Sequence, residues 1–500
     1  MSHSPALERV RPGRDDVAIP HPAGRRVAVA CMAAAAAALV ASLLGIGVPA
    51  TYAASAAVDE TEYLLSALSL WEDGDLDISD ERAQRRWRAF ADVRPSLQTE
   101  PRDDGSQLSP HDPLLPLLLA VPTGLFGWVG AKVLLAALAA ATAALTVWVA
   151  VRRFAVPTVL AGIGTALLAA TPPLAVYGQQ VYPELPAGLA ALVGVAALTA
   201  APMTARRRCS GSDLALVGAV VALPWLGVKY LPVAAVLAVL GLVRLHRAGR
   251  PRALAVTTVA LSAAGVAYLV VHRLVWGGWT VYASGDHFRT TGELSVVGVS
   301  PDYVGRTVRL VGLLVDREFG LVGWQPAWLL LVAAAAALLR MRQWVLLLPV
   351  AAGWATATWV ALTMHGYWWP GRQVVVVLPV AVVGLLVWLA QLPSRRTQVP
   401  ALAASVVLAV AGLTTYVGLL VEGWRGGLTW VFDIATVDAP TYHVLRPMLP
   451  DYRGTDVLLP HLVWVTVLLG LTCLGWSSAA RTNRRRPAVA ASHPEEESSR

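Results

Sequence analysis

Apolar runs long enough to cross a bilayer recur along most of this chain, and short basic clusters alternate with longer acidic or aromatic segments between them. About 20 helical residues match a hydrocarbon layer about 30 Å thick. The first such run covers 27–50. Others follow at 128–151, 156–176, 182–203, 213–228, 229–246, 253–275, 324–340, 343–363, 373–391, 400–421 and 457–477. The pattern predicts an all-α polytopic membrane protein with about a dozen transmembrane helices.

The stretch 113–127 is also apolar, but it is short and carries Pro113, Pro116 and Pro122. It reads as a re-entrant or interfacial helix rather than a span. With that reading, Arg152/Arg153, Arg206–Arg208, Arg244/Arg247/Arg250/Arg252, Arg340/Arg342, Arg395/Arg396 and Arg481/Arg484–Arg486 fall after every second run. The positive-inside rule places them all in the cytoplasm. The expected organisation is a cytoplasmic tail 1–26, a transmembrane domain 27–480 and a disordered cytoplasmic tail 481–500. The first run is long for a signal-peptide core, so an uncleaved anchor is expected. The outer, extracytoplasmic segments are 58–112, 276–323, 363–373 and 422–456.

Composition agrees with this picture. The chain is 56% hydrophobic and only 14% charged, against about 25% charged residues in soluble domains. Its net charge of +8 comes from arginines that flank the apolar runs, not from a continuous patch. Nucleic acid is therefore excluded as a partner. Cys31, Cys209 and Cys473 lie too far apart for a metal motif or a disulfide framework. The chain carries no Walker A motif, no dinucleotide glycine fingerprint after a strand, no HExxH and no GxSxG elbow. Chemistry on a substrate already in the membrane fits better than chemistry driven by a cytosolic nucleotide.

Candidate chemistry gathers in the outer segments. Asp59 and Glu60 stand directly after the first span, in Val58-Asp59-Glu60-Thr61-Glu62-Tyr63. A carboxylate there can take a proton from an attacking hydroxyl or hold a divalent cation such as Mg or Mn. On a helix, adjacent side chains diverge by about 100°, so the two would face different ways. The acidic stretch Glu72–Asp77 reads as a solvated loop. Glu184, in Tyr182-Pro183-Glu184, is either a helix N-terminal carboxylate or a functional acid near the hydrocarbon. Lys229, beside Tyr230, can snorkel at the interface or neutralise a lipid phosphate. Arg372 follows the aromatic group Tyr367-Trp368-Trp369. It is a rare outer-face cation suited to bidentate phosphate binding. The aromatics read as an interfacial belt or a sugar platform. His365, Asp286-His287, Asp316-Arg317-Glu318 and Trp424 with Trp430 complete the outer loops.

Asp59-Glu60 with Tyr63 resembles the acidic Asp-Glu-x-x-Tyr motif of the GT-C superfamily, membrane glycosyltransferases that use polyprenyl-phosphate sugars. It is most similar to the aminoarabinose transferase and protein O-mannosyltransferase branch. His111-Asp112-Pro113-Leu114-Leu115-Pro116 occupies the place of that branch's proline-rich helix, with different proline spacing. Tyr182-Pro183-Glu184, Val228-Lys229-Tyr230 and Pro370-Gly371-Arg372 look like segments of related actinobacterial membrane proteins. The resemblance covers about 27–480 in topology.

The resemblance implies a GT-C-like bundle and a glycosyltransferase in the cell membrane, active at the extracytoplasmic face in envelope glycan or glycoprotein synthesis. Its donor would be a hexose or pentose, mannose or arabinose among them, on a polyprenyl phosphate. Its acceptor would be a glycan, lipid or protein. Asp59 would be the general base, with Glu60 orienting the acceptor or helping to hold a metal. His111, Asp112, Tyr182, Glu184, Lys229, Tyr230, Tyr367 and Arg372 would bind substrate, with Lys229 and Arg372 on the leaving phosphate. The rival readings are a lipid-linked sugar transporter or flippase, and a GT-C-like scaffold without catalysis.

Overall fold

Each apolar run folds as a helix in the computed structural model, which describes residues 24–96, 98–99, 101–200, 210–284 and 301–484. Most of the N-terminal tail, the cluster Arg206–Arg208, Asp286-His287 and the last 16 residues lie outside the described residues. In chain order the main helices are α1 Gly24–Gly45, α2 Asp59–Glu72, α3 Ser79–Ala83, α4 Leu114–Phe154, α5 Thr158–Ala169, α6 Glu184–Leu198 and α7 Gly211–Leu226. They continue as α8 Leu231–Arg247, α9 Pro251–Val275, α10 Leu330–Arg340, α11 Trp344–Ala355, α12 Leu378–Ala390, α13 Arg395–Trp424 and α14 Leu458–Arg484. Among the described residues there is no β-strand, only two isolated bridges. Among the described residues, seven helical segments are long and apolar enough to cross a membrane, and five shorter apolar helices stand among them. Together they account for every apolar run of the sequence.

Local chemistry sets the helix ends. Proline in the first turn opens α8, α9 and α12, where its missing N–H costs no hydrogen bond. Ser210 and Asp213 cap α7 reciprocally. Ser394 accepts from the Thr397 amide at the start of α13. α4 runs for 41 residues because it joins two pieces, and Gly127, at φ 62° and ψ −158°, breaks the helical path between them. Only glycine adopts that backbone without a Cβ clash. The break separates the proline-bearing arm 114–126 from the span that follows, at the boundary the proline spacing suggested.

The bundle has two chemically different ends. α6 starts at Glu184. Near its other end, Arg244 of α8 donates to the carbonyls of Ala197 (2.8 Å) and Ala200 (2.9 Å). Arg153, Asp213 and Arg250 lie close to Arg244 at that end. At 1.5 Å per residue, this arginine-rich end is about 20 Å from Glu184. The acidic and aromatic segments collect at the opposite end.

The segment 58–112 is a folded cap rather than a loose loop. Residues 60–69 of α2 are all buried, and α2 packs along α4. Glu62 pairs with Arg82 of α3 at 2.8 Å, both buried, and the same guanidinium donates to the Pro95 carbonyl at 2.7 Å. The helix takes in the acidic motif itself.

Arg250 meets Asp213 through two nitrogens, at 2.8 and 3.3 Å, with both side chains buried. Removing one partner of such a pair strands the other charge, at a cost on the order of 3 kcal/mol. Arg250→Ala is therefore expected to lower the unfolding midpoint of the protein in lipid nanodiscs clearly. An unchanged midpoint would show that the pair contributes nothing.

Candidate functional site

α2 begins with three carboxylates in its first turn, where the helix dipole favours negative charge. The first, Asp59, faces a cavity of about 380 Å³. The second, Glu60, turns inward. Its Oε2 accepts from the Ala57 amide (3.1 Å) and its Oε1 from the Val181 amide (2.8 Å). Burial pushes the Glu60 carboxyl up, against the pull of buried Lys132 and the two amides. The divergence expected for neighbouring helical residues is thus realised, with one carboxylate on the cavity and one locking the cap to the turn before α6.

Arg372 is the hub of the site. Its Nη2 lies 2.8 Å from Asp59 Oδ2 and its Nε lies 2.8 Å from Glu184 Oε1. The guanidinium stacks over Tyr182 at 4.1 Å and Trp368 at 5.2 Å, favourable contacts for a planar cation. Lys229 adds a second cation, with Nζ 2.7 Å from the same Glu184 oxygen and its side chain 31% exposed toward the cavity. Glu184 is thus both the first residue of its helix and the shared anion of two cations. The two cations and the carboxylates of Asp59 and Glu184 balance in charge.

Gly371 sets the direction of Arg372. Its φ of 81° places it in the left-handed region, and a Cβ there would approach Leu321 Cδ2 to 2.6 Å. His111 stands on the other side of Asp59. Its Nε2 is 3.8 Å from Asp59 Oδ2, its Nδ1 is 2.8 Å from Ser109 Oγ, and its ring packs on Tyr63. Burial alone would raise the Asp59 carboxyl. Arg372 and then His111 overcome that effect and hold it well below the usual carboxylate range.

Asp112 sits at the other wall. It accepts from the Val228 amide (2.9 Å), the Tyr268 hydroxyl (2.9 Å) and His272 Nε2 (3.0 Å). Those bonds fix the turn that carries Lys229. Tyr230 also lines the cavity. The remaining wall is apolar, with Val233, Gly353, Ala357, Val360 and Val376. Thr356–Val360 there forms a π-helical turn, a device often found beside functional sites.

The fold thus brings Asp59, His111, Asp112, Lys229, Tyr230 and Arg372 onto one cavity, with Tyr182 and Glu184 directly behind Arg372. It does not bring Tyr367 there. That ring is 63% exposed and faces Phe432. Asp316 and His365 pair with each other at 3.3 Å, away from the cavity lining. Trp430 packs inside the bundle and donates to the Gly45 carbonyl. Two contributors escaped the sequence reading: Lys132 and the Tyr268–His272 pair. A lysine and a histidine inside apolar spans were the available signals, because such groups are costly in a membrane unless something meets them.

Fold and site together define a multi-pass membrane protein with a GT-C-like fold and an ion-paired cavity at one end of the bundle. Among solved structures it is similar to ArnT from Cupriavidus metallidurans, whose crystal structure contains bound undecaprenyl phosphate. The TM-score is 0.50, the identity is 16%, and the match covers 92% of this chain and 78% of that one. This likeness shows the fold. No protein-family model and no curated protein matches the chain.

Two predictions come from this geometry. A carboxyl held below its unfolded value contributes stability that is present above that value and is lost as pH falls through the folded one. The stability difference between wild type and Asp59→Asn should therefore stay constant from pH 5 to 8. It should shrink only in more acidic solution, below about pH 4, as read by thermal unfolding at each pH. Gly371→Ala should cost about 1–2 kcal/mol from the backbone alone, and an unaltered unfolding midpoint would rule out strain at this turn.

Proposed function

We propose that the chain is a membrane glycosyltransferase that moves a sugar from a polyprenyl phosphate to an acceptor hydroxyl at the extracytoplasmic face, with inversion. The observation that carries this reading is one cavity that joins a carboxylate, two cations and an apolar wall. Asp59 pairs with Arg372, Lys229 lines the same cavity, and the wall from Ala357 to Val376 offers a path for a prenyl chain. The fold shared with ArnT, solved with undecaprenyl phosphate, supports the same class of donor.

In the proposed reaction the acceptor oxygen attacks the anomeric carbon and the carbon–phosphate oxygen bond breaks. The electron pair leaves with the polyprenyl phosphate, and the acceptor proton passes to Asp59. Lys229 and Arg372 stabilise the charge that grows on the leaving phosphate in a water-poor site. Arg372 couples the two halves. A donor phosphate competes for its guanidinium, loosens its hold on Asp59 and raises the basicity of that carboxylate when the acceptor is to be deprotonated. Asp112 and Glu184 keep the cations in place.

Asp59 and Glu60 do not form a chelating pair, because Glu60 spends its oxygens on two backbone amides. No step is therefore assigned to a metal here. The sugar is a hexose or pentose. The protein O-mannosyltransferase and aminoarabinose transferase branch and an actinobacterial-type envelope remain the resemblance that guides the choice of donors.

The test uses purified protein in lipid with a panel of polyprenyl-phosphate sugars. Transfer by wild type should fall at least about 100-fold in Asp59→Asn, the usual scale for losing a general base. Arg372→Lys should weaken turnover through loss of the planar fork. Near-wild-type transfer by Asp59→Asn would refute the assigned base. Donor binding without turnover would favour the scaffold, and donor movement across vesicles without transfer would favour the transporter.

A further inference from the structure

The acidic stretch after α2 is not uniformly solvated. Asp75 and Asp77 are consumed by turn formation. Asp75 Oδ1 accepts from Ser69 Oγ (2.9 Å) and the Asp77 amide (3.0 Å), while Asp77 Oδ1 accepts from the Ser79 (3.0 Å) and Gln107 (2.7 Å) amides. Those turns fold the chain back so that Asp73, at the end of α2, meets Asp80 and Glu81 of α3. One carboxylate oxygen from each of the three lies within 4.8 Å of the others.

Glu81 makes this more than a surface acidic patch. It is 1% exposed, and neither carboxylate oxygen has a hydrogen-bond partner. A buried carboxylate without donors is costly. The nearby cations are already committed. Arg82 turns to Glu62 and the Pro95 carbonyl, and both terminal nitrogens of Arg86 go to Glu72. Asp80 receives only a 3.3 Å contact from Gln84 Nε2. Burial, with Asp80 beside it, pushes the Glu81 carboxyl up to about 8, the direction that a close cation would reverse.

We propose that Asp73, Asp80 and Glu81 form a structural calcium site in the first outer segment. Calcium takes carboxylate oxygens at about 2.3–2.6 Å, so ligands across one ion stand up to about 5 Å apart, in keeping with the spacing observed. Asp73 and Asp80 are exposed and give solvent access, while Glu81 supplies the buried ligand. The ion ties the end of α2 to α3, whose Arg82 anchors Glu62 one turn beyond Asp59. It thus stiffens the cap that presents Asp59, without touching the cavity. The site is independent of whether the chain transfers sugar.

The experiment uses the full chain in nanodiscs, stripped with a chelator and then titrated with calcium. Binding is read by calorimetry and stability by thermal unfolding. Wild type should bind calcium, and its midpoint should rise by about 3 °C or more at saturation. Glu81→Gln should lose both effects, yet without calcium it should unfold no earlier than wild type, because it replaces a buried carboxyl that has no hydrogen-bond partner. Asp73→Asn, at an exposed position, should weaken binding at least tenfold and keeps the test readable if Glu81→Gln does not fold. Asp59→Asn should retain the full calcium response. No calcium response in wild type, or an equal response in Glu81→Gln or Asp73→Asn, would overturn the proposal.

Discussion

The guanidinium of Arg372 is the constraint on which the rest of this site depends. A buried cation is tolerable only when it is met by charge and hydrogen bonds, and Arg372 is met by Asp59 from the start of α2 and Glu184 from the start of α6. The contact with Asp59 spans more than 300 residues of sequence. It draws the cap onto the bundle and brings the turn after Gly371 against the start of α6. Lys229 shares the same Glu184 oxygen and closes a four-member network that is neutral in sum. Within this network Asp59 and the Glu184–Lys229 pair stand at opposite ends of one guanidinium rather than acting as separate sites.

A second layer of buried polar groups makes that arrangement rigid. Glu60 fastens the cap to the turn before α6 through two amides, and Asp112 fastens the turn before α8 through an amide, a hydroxyl and an imidazole. Glu62 and Arg82 hold the cap together from within. These carboxylates are close in sequence to Asp59 or His111, yet they serve backbone and structure. Their role follows from hydrogen-bond demand, since amides at helix ends must find acceptors when they are buried.

Much of the fold was legible in the chain. Apolar run length gave the spans, because a bilayer sets a minimum length that composition must satisfy. The prolines at 113, 116 and 122 marked an arm distinct from the span after it, and Gly127 supplies the break. Asp59, Glu184, Lys229 and Arg372 stood out because charge beside hydrocarbon is rare and costly. Tyr367 carried the same aromatic signal as Trp368, yet only Trp368 reaches Arg372. One residue of sequence separation reverses the direction of a side chain, and residue type does not record it.

By itself, then, the sequence determined the all-helical membrane architecture and the segments in which polar chemistry would gather. Both follow from local composition and from the thickness of a bilayer. Only the tertiary structure decided which carboxylate faces the cavity, which cations it meets, that Tyr268 and His272 stand behind Asp112, and that Glu81 is buried beside Asp73 and Asp80. Those outcomes depend on long-range packing. A buried charge takes whichever partner the fold brings within about 3 Å, and no pattern along the chain specifies that distance.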